Sequence, residues 1–216
     1  MISKPEGVDY KFLEELKKVL SESSEKFGVV TGGGYIAREY AKKARQQGAS
    51  EFEADEAAIK GTWENAQITL GVFGKLAAPK VFKEFNNAKK AIKKYKLVVM
   101  GGTIPGITTD SDSVLLAECV GAKKVINISN VDAIYDSDPQ KNPNAKKFSI
   151  LSHDNLIRLA VDSDKRTAGT NFVFDLLACK LASRSNIEVH FVSGKKVEEI
   201  KSAINGQKHS GTIVKN

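Results

Sequence analysis

The stretch Leu97-Val98-Val99-Met100-Gly101-Gly102-Thr103-Ile104-Pro105-Gly106-Ile107-Thr108-Thr109-Asp110-Ser111-Asp112 constrains this fold more than any other part of the chain. Four apolar residues in a row predict a strand buried on both faces, as in a parallel sheet. Two glycines end it, and Pro105-Gly106 makes a second turn. Thr108, Thr109 and Asp110 then offer caps for a helix carrying Val114, Leu115 and Leu116. Strand, small-residue loop and helix N-terminus together suit a phosphate: N–H groups point at the anion and the helix dipole favours its charge. No Gly-Lys-Ser/Thr follows, so this is not a Walker loop. By itself the stretch is also compatible with an ordinary βα turn that binds nothing.

A second junction has the same build. Phe27-Gly28-Val29-Val30 predicts a short buried strand that runs into Thr31-Gly32-Gly33-Gly34. The next helix opens with Ile36, Tyr40 and Ala44 at helical spacing, and Arg38 lies one turn in. Consecutive glycines are costly unless the backbone takes positive φ or approaches something closely. Two such loops at strand C-ends of one sheet point to a ligand there.

The rest of the chain alternates strands and helices. Residues 8–26 predict an amphipathic helix with Phe12, Leu16, Val19 and Leu20 on one face. Residues 57–73 predict a helix with Ile59, Thr62, Ala66, Leu70 and Phe73 inward, and Asp55 stands just ahead of it as a cap or a ligand for sugar hydroxyls. Residues 75–95 read as lysine-rich helix with a loop, and 124–129 as an interior strand. The loop at 130–139 is dense in Asp and Asn, which suits turns and equally an adenine ring beside Tyr135. Ser152 is expected to cap a helix through Leu159, and a further helix turns Phe174, Leu177, Ala178 and Leu181 inward. A strand at 187–192, a helix at 197–204 and a strand at 212–214 complete the chain. This order predicts an α/β fold, a three-layer αβα sandwich with a mostly parallel central sheet.

Composition narrows the function. With 41% hydrophobic and 27% charged residues the chain is globular, and no run approaches the ~18 apolar residues of a membrane span. Nothing at the N-terminus resembles a signal peptide, and Cys119 and Cys179 sit in apolar helical patterns as buried free thiols of a reducing cytoplasm. The net charge of +7 is concentrated at Lys89, Lys90, Lys93, Lys94 and Lys96, a solvated helix face in the first instance. The run lacks the interleaved aromatics of a nucleic-acid site beyond Tyr95, whereas a positive field suits an anionic small-molecule substrate. His153, His190 and His209 are scattered and suggest no acid–base or metal role.

Several motifs taken jointly resemble one family. Val-Val-Thr-Gly-Gly-Gly-Tyr-Ile-Ala-Arg-Glu-Tyr (29–40), Gly-Ala-Ser-Glu (48–51), Met-Gly-Gly-Thr-Ile-Pro-Gly-Ile-Thr-Thr-Asp (100–110), Asn-Val-Asp-Ala-Ile-Tyr-Asp-Ser-Asp-Pro (130–139) and Ala-Gly-Thr-Asn-Phe-Val-Phe-Asp-Leu-Leu-Ala-Cys-Lys (168–180) look like the archaeal-type uridylate kinases of the amino-acid-kinase superfamily. The closing Gly-Thr-Ile-Val (211–214) fits as well, so the resemblance spans the chain in order. It implies one domain over residues 1–216, with a UMP site in the N-terminal half and an ATP site in the C-terminal half. The implied reaction moves the ATP γ-phosphoryl group to UMP, with Mg²⁺, in pyrimidine biosynthesis in the cytoplasm. By the same resemblance Gly33, Asp55, Thr103, Ile104, Pro105, Gly106, Ile107, Thr108 and Thr109 hold UMP. Gly34 and Arg38 face the ATP phosphates, and Ser129, Asn130, Tyr135 and Asp138 hold the ATP nucleoside. Asp132 matches an acidic residue that orders the catalytic centre, and no residue is assigned to a protein-held metal. A homohexamer built as a trimer of dimers is also implied.

There are two departures. These kinases begin with a buried strand and a Gly-Gly-Ser loop, whereas this sequence opens at Met1-Ile2-Ser3-Lys4-Pro5. The expectation is poor activity for residues 1–216 and restored activity in a chain extended upstream. Trp63 stands where these kinases usually carry Arg, which leaves open a weakened hold on the UMP phosphate, another cation, or a core or interface role. Rival readings are an amino-acid kinase acting on a carboxylate or carbamate, a non-catalytic nucleotide- or oxyanion-binding relative, and, more distantly, a basic nucleic-acid-binding protein.

Overall fold

A computed structural model describes residues 2–137, 139, 141–163 and 174–216. The chain divides into two compact units, Met1–Val120 and Gly121–Asn216.

Unit 1 opens with a small hairpin of β1 (Ser3–Lys4) and β2 (Gly7–Val8), followed by α1 (Tyr10–Glu22). Asp9 caps α1: its carboxylate accepts the Phe12 amide at 3.1 Å and pairs with Lys4 at 2.7 Å. The expected apolar face of α1 is buried, with Leu13 added to it. Next come β3 (Phe27–Val30), α2 (Gly34–Gln46), α3 (Glu51–Phe73), β4 (Ala77–Phe82), α4 (Phe85–Ile92), β5 (Leu97–Met100) and α5 (Thr109–Val120). The sheet order is β3-β5-β4, all parallel. All of β5 is buried, as its apolar run requires. Val98 and Met100 pack with Ala88 of α4 and Leu116 of α5. Alternation turns Leu97 and Val99 to the opposite face, where α3 lies. This unit therefore layers helices on both faces of its sheet.

Four expectations for unit 1 need correction. α3 begins at Glu51, earlier than the apolar stripe suggests, because Ser50 and Glu53 form a reciprocal capping box. Asp55 therefore lies inside α3 and caps nothing. α2 buries Ala37 and Ala41, while Ile36, Tyr40 and Ala44 are only partly covered. Small residues bring α2 so close to α3 that a Cβ on Gly61 would lie 2.7 Å from the Ala37 backbone. Residues 77–82 form the parallel strand β4, where lysine content suggested helix and loop; Pro79 and a register shift suit an edge strand. The lysines that follow are mostly solvated, but Lys26 donates to the Ile92 and Lys93 carbonyls at 2.8 and 2.7 Å. Lys96 donates to the Ser21 carbonyl at 2.9 Å and to that of Ser23, so each cation closes a helix C-terminus.

Unit 2 contains β6 (Lys124–Ser129), β7 (Ile134–Tyr135), β8 (Lys147–Phe148), β9 (Ile150–Leu151), α6 (His153–Ser163), α7 (Leu176–Arg184), β10 (Glu188–Ser193), α8 (Val197–Ile204) and β11 (Thr212–Val214). The order β6-β10-β11-β9 has one antiparallel step, between β10 and β11. On one face Phe191 meets Phe174 edge-on, with ring centroids 5.4 Å apart. β7 and β8 pair antiparallel, so Ile134 and Tyr135 of the Asx-rich segment lie in a strand rather than a turn. α6 continues past Leu159 to Ser163, with Ser152 capping it as expected. Leu177 is 44% exposed rather than inward, because Asp175 starts α7 and turns Ala178, Leu181 and Ala182 to the core. Cys179 is buried and Cys119 only partly so, both as free thiols. Motif residues 168–171 lie outside the described residues. Among the described residues no helix is long and apolar enough to cross a membrane.

Candidate functional site

The register Val30↔Met100 makes both glycine loops leave the same end of adjacent parallel strands. A Cβ on Gly32 would lie 3.6 Å from the Thr109 hydroxyl, so the loops meet as the sequence predicts. One helix holds both. Thr31 Oγ1 donates to the Thr62 carbonyl at 3.0 Å, and the Gly102 amide donates to Thr62 Oγ1 at 2.7 Å. The Trp63 indole donates to the Gly102 carbonyl at 2.8 Å. Asn65 Nδ2 donates to the carbonyls of Gly32 and Gly33 at 2.8 and 2.9 Å. The glycine at 101 is needed here, because a Cβ on it would lie 2.7 Å from Thr62 Oγ1 and Trp63 Cδ1.

The 101–109 loop is braced by carboxylates. Buried Asp112 accepts the Thr103 hydroxyl at 2.6 Å and its amide at 3.2 Å. Asp55 accepts the Gly106 amide at 3.0 Å, with Gly106 at φ +85°. Asp55 thus does reach this loop, though from the body of α3. Ile104 and Thr108 are exposed, and Pro105, Ile107 and Thr109 are partly covered. Thr108 caps α5, its hydroxyl accepting the Asp110 amide at 3.1 Å. On the facing loop Gly33 is the N-cap of α2, and Gly34 sits at φ +57° against Ser3. Arg38 is exposed and has no carboxylate partner among the described residues.

In unit 2 the segment after β6 is ordered by its own side chains. Ser129 Oγ accepts the Val131 amide at 3.1 Å, and Tyr135 donates to Asp132 Oδ1 at 3.0 Å. Lys147 lies 3.9 Å from Asp132 Oδ2. Burial and the Asp132 carboxylate push the Tyr135 phenol up, so it stays a hydrogen-bond donor. Asn130 is exposed beside this cluster. Asp138 lies outside the described residues.

The sequence profile of the amino acid kinase family matches residues 2–193. The chain belongs to the amino acid kinase family. Among its relatives, the uridylate kinase of Thermococcus gammatolerans is 37% identical over 212 residues, covering 97% of this chain and 93% of that one. The uridylate kinase of Archaeoglobus fulgidus is 42% identical over 186 residues, covering 86% and 83%. A crystal structure of uridylate kinase from Archaeoglobus fulgidus superposes with a TM-score of 0.84 at 38% identity, covering 95% of this chain and 91% of that one. The UMP kinase of Bacillus anthracis shares the fold, with a TM-score of 0.80 at 21% identity over 99% and 91%.

Two features of this family member were not legible in its sequence. Asn65 and Asp112 carry much of the loop bracing, yet a polar residue on an apolar helix face gives no sign of what it will meet. The histidines at 190 and 209, far from each other in a strand and a loop, come together: His190 Nδ1 is 2.7 Å from His209 Nε2. The Gly211 amide donates to His209 Nδ1 at 3.1 Å, which leaves His209 to donate to His190. Glu188 Oε1 is 3.2 Å from His190 Nε2, near enough for an ion pair but poorly directed for a hydrogen bond.

Proposed function

We propose that this chain is a UMP kinase, transferring the γ-phosphoryl group of ATP to UMP to give UDP and ADP. The observation that carries the reading is the approach of Gly32 to Thr109, which brings two glycine-lined strand ends together on one braced helix. Phosphoryl transfer needs donor and acceptor phosphates in line and their charge neutralised, with little covalent work from the protein. The uridylate kinase relatives support the same acceptor.

In this reading the 103–109 loop wraps UMP, with Thr108 and Thr109 near its phosphate and Asp55 beside the ribose. Asp55 can accept a sugar hydroxyl on the carboxylate oxygen not used by Gly106. Gly33 contacts UMP, while Gly34 and Arg38 face the ATP phosphates and Arg38 draws off developing negative charge. Ser129, Asn130, Tyr135 and Asp138 hold the ATP nucleoside, and Asp132 orders that segment through Tyr135. The reading takes Mg²⁺ with ATP, carried on its phosphate oxygens. When bound, the ion neutralises charge between the phosphates. A cytoplasmic oligomer of this chain belongs to the same reading, and sedimentation velocity tests the assembly.

The deciding experiment offers ATP with UMP, CMP, carbamate or glutamate and follows both calorimetric binding and ADP release. UMP binding with UDP formation is expected. Phosphorylation of carbamate or glutamate in preference to UMP overturns the reading, and UMP binding without turnover makes the chain a nucleotide-binding relative.

A further inference from the structure

The 101–109 loop carries little positive charge of its own. Its amides at Gly102, Thr103 and Gly106 are given to Thr62, Asp112 and Asp55, and two of these partners are carboxylates. The first turn of α5 adds Asp110. A phosphate dianion brought here meets negative charge as well as the helix dipole, so a cation must come from outside the loop.

Lys83 is placed to be that cation. It directly follows β4, and the register Phe82↔Met100 sets it beside Gly101 at the C-terminal edge of the sheet. Its ammonium lies 3.3 Å from the centroid of the Trp63 ring. The indole N–H of the same Trp63 donates to the Gly102 carbonyl at 2.8 Å, so one side chain links the cation to the loop. The ring attracts the ammonium through its quadrupole but brings no charge, and the positive charge of Lys83 is therefore not cancelled. Lys4 and Arg45, by contrast, are paired with Asp9 and Glu51 at 2.7 Å. Lys83 is also exposed, free to lift from the ring toward an anion. The neighbouring Glu84 accepts from Asn87 at 2.6 Å rather than pairing with it.

We infer that Lys83, held on the face of Trp63, is the cation that grips the phosphate of the acceptor nucleotide, with Trp63 as its positioning residue. The inference rests on the UMP reading above. It also gives position 63 a role: the indole presents a cation supplied from the end of β4.

Trp63 is the only tryptophan of the chain, so its fluorescence reports on Lys83 directly. The test titrates UMP, uridine and inorganic phosphate into the protein and into Lys83→Met, Lys83→Arg, Trp63→Phe and Trp63→Leu, following calorimetry and, where Trp63 remains, emission. UMP is expected to change Trp63 emission and uridine to leave it unchanged. Lys83→Met should weaken UMP by about tenfold or more and uridine by less than about twofold, the mark of a lost charge-assisted contact. Lys83→Arg and Trp63→Phe should retain most of the affinity, and Trp63→Leu should lose it with Lys83→Met. UMP affinity unaltered in Lys83→Met overturns the inference and leaves the UMP reading standing. Parallel losses of UMP and uridine affinity, with a lowered melting temperature, also overturn it. Failure of the unaltered protein to bind UMP overturns both.

Discussion

The Thr62 hydroxyl accepts the Gly102 amide at 2.7 Å across 40 residues of sequence, while the Thr62 carbonyl accepts from Thr31 at 3.0 Å. One buried turn of α3 therefore fixes the start of both glycine loops relative to each other. Thr62→Val keeps the shape and leaves a buried amide without its acceptor, a loss of about 1–3 kcal/mol. Urea denaturation should show it as a lower midpoint with an unchanged slope, and calorimetry should show weaker UMP binding. An unaltered midpoint would mean that water replaces the hydroxyl.

Two glycines of α3 should respond to alanine in opposite senses. At Gly61 the new methyl would lie 2.7 Å from the Ala37 backbone, so α2 and α3 must part, at a cost of about 1–3 kcal/mol. Since α2 begins at the glycine triplet, phosphoryl transfer should fall as well. At Gly71 nothing lies within 4 Å, and alanine should stabilise the helix by up to about 1 kcal/mol. Thermal melts of the two variants side by side check this.

Arg38 separates stability from function. It is exposed and has no carboxylate partner among the described residues, so Arg38→Ala should change stability by less than about 0.5 kcal/mol. If it meets the ATP phosphates, the same change should lower turnover by about tenfold or more. Equal activity in Arg38→Ala would remove it from the site.

The His190–His209 pair predicts a pH dependence of stability. Burial first, then Lys124, pushes the His190 imidazole down to about 4, against the partial opposition of Glu188. Burial also lowers His209, with Glu199 and Glu188 opposing and Lys124 assisting. Between pH 6.5 and about 4 the unfolded chain binds protons that folded His190 refuses, so stability is full above this window and is lost as the pH falls through it. Melting temperature should drop by about 5 °C from pH 7 to pH 5, and His190→Gln should flatten that slope. A level profile in the unaltered protein would show that the pair protonates without strain.

What the sequence by itself determined is local or periodic. The buried run 97–100, the glycine triplet, the apolar face of α1, the strands β6, β10 and β11 and the helix α8 were legible because spacing alone specifies them, whereas the two-residue strands β7, β8 and β9 are too short to leave a pattern. The alternation of strand and helix then implied parallel strands, and with them two loops at one sheet end. Edge strand β4 was hidden because its exposed lysines and Pro79 follow the needs of an edge, not the pattern of a strand. The start of α3 was hidden because a capping box outweighs the apolar stripe. Only the tertiary structure decided which polar groups meet. Asn65 beneath the glycine triplet, Asp55 on Gly106, Lys83 over Trp63 and His190 against His209 each join residues whose separation along the chain carries no signal. Periodicity states which face of a helix turns inward; the partner it finds there depends on how the whole chain packs.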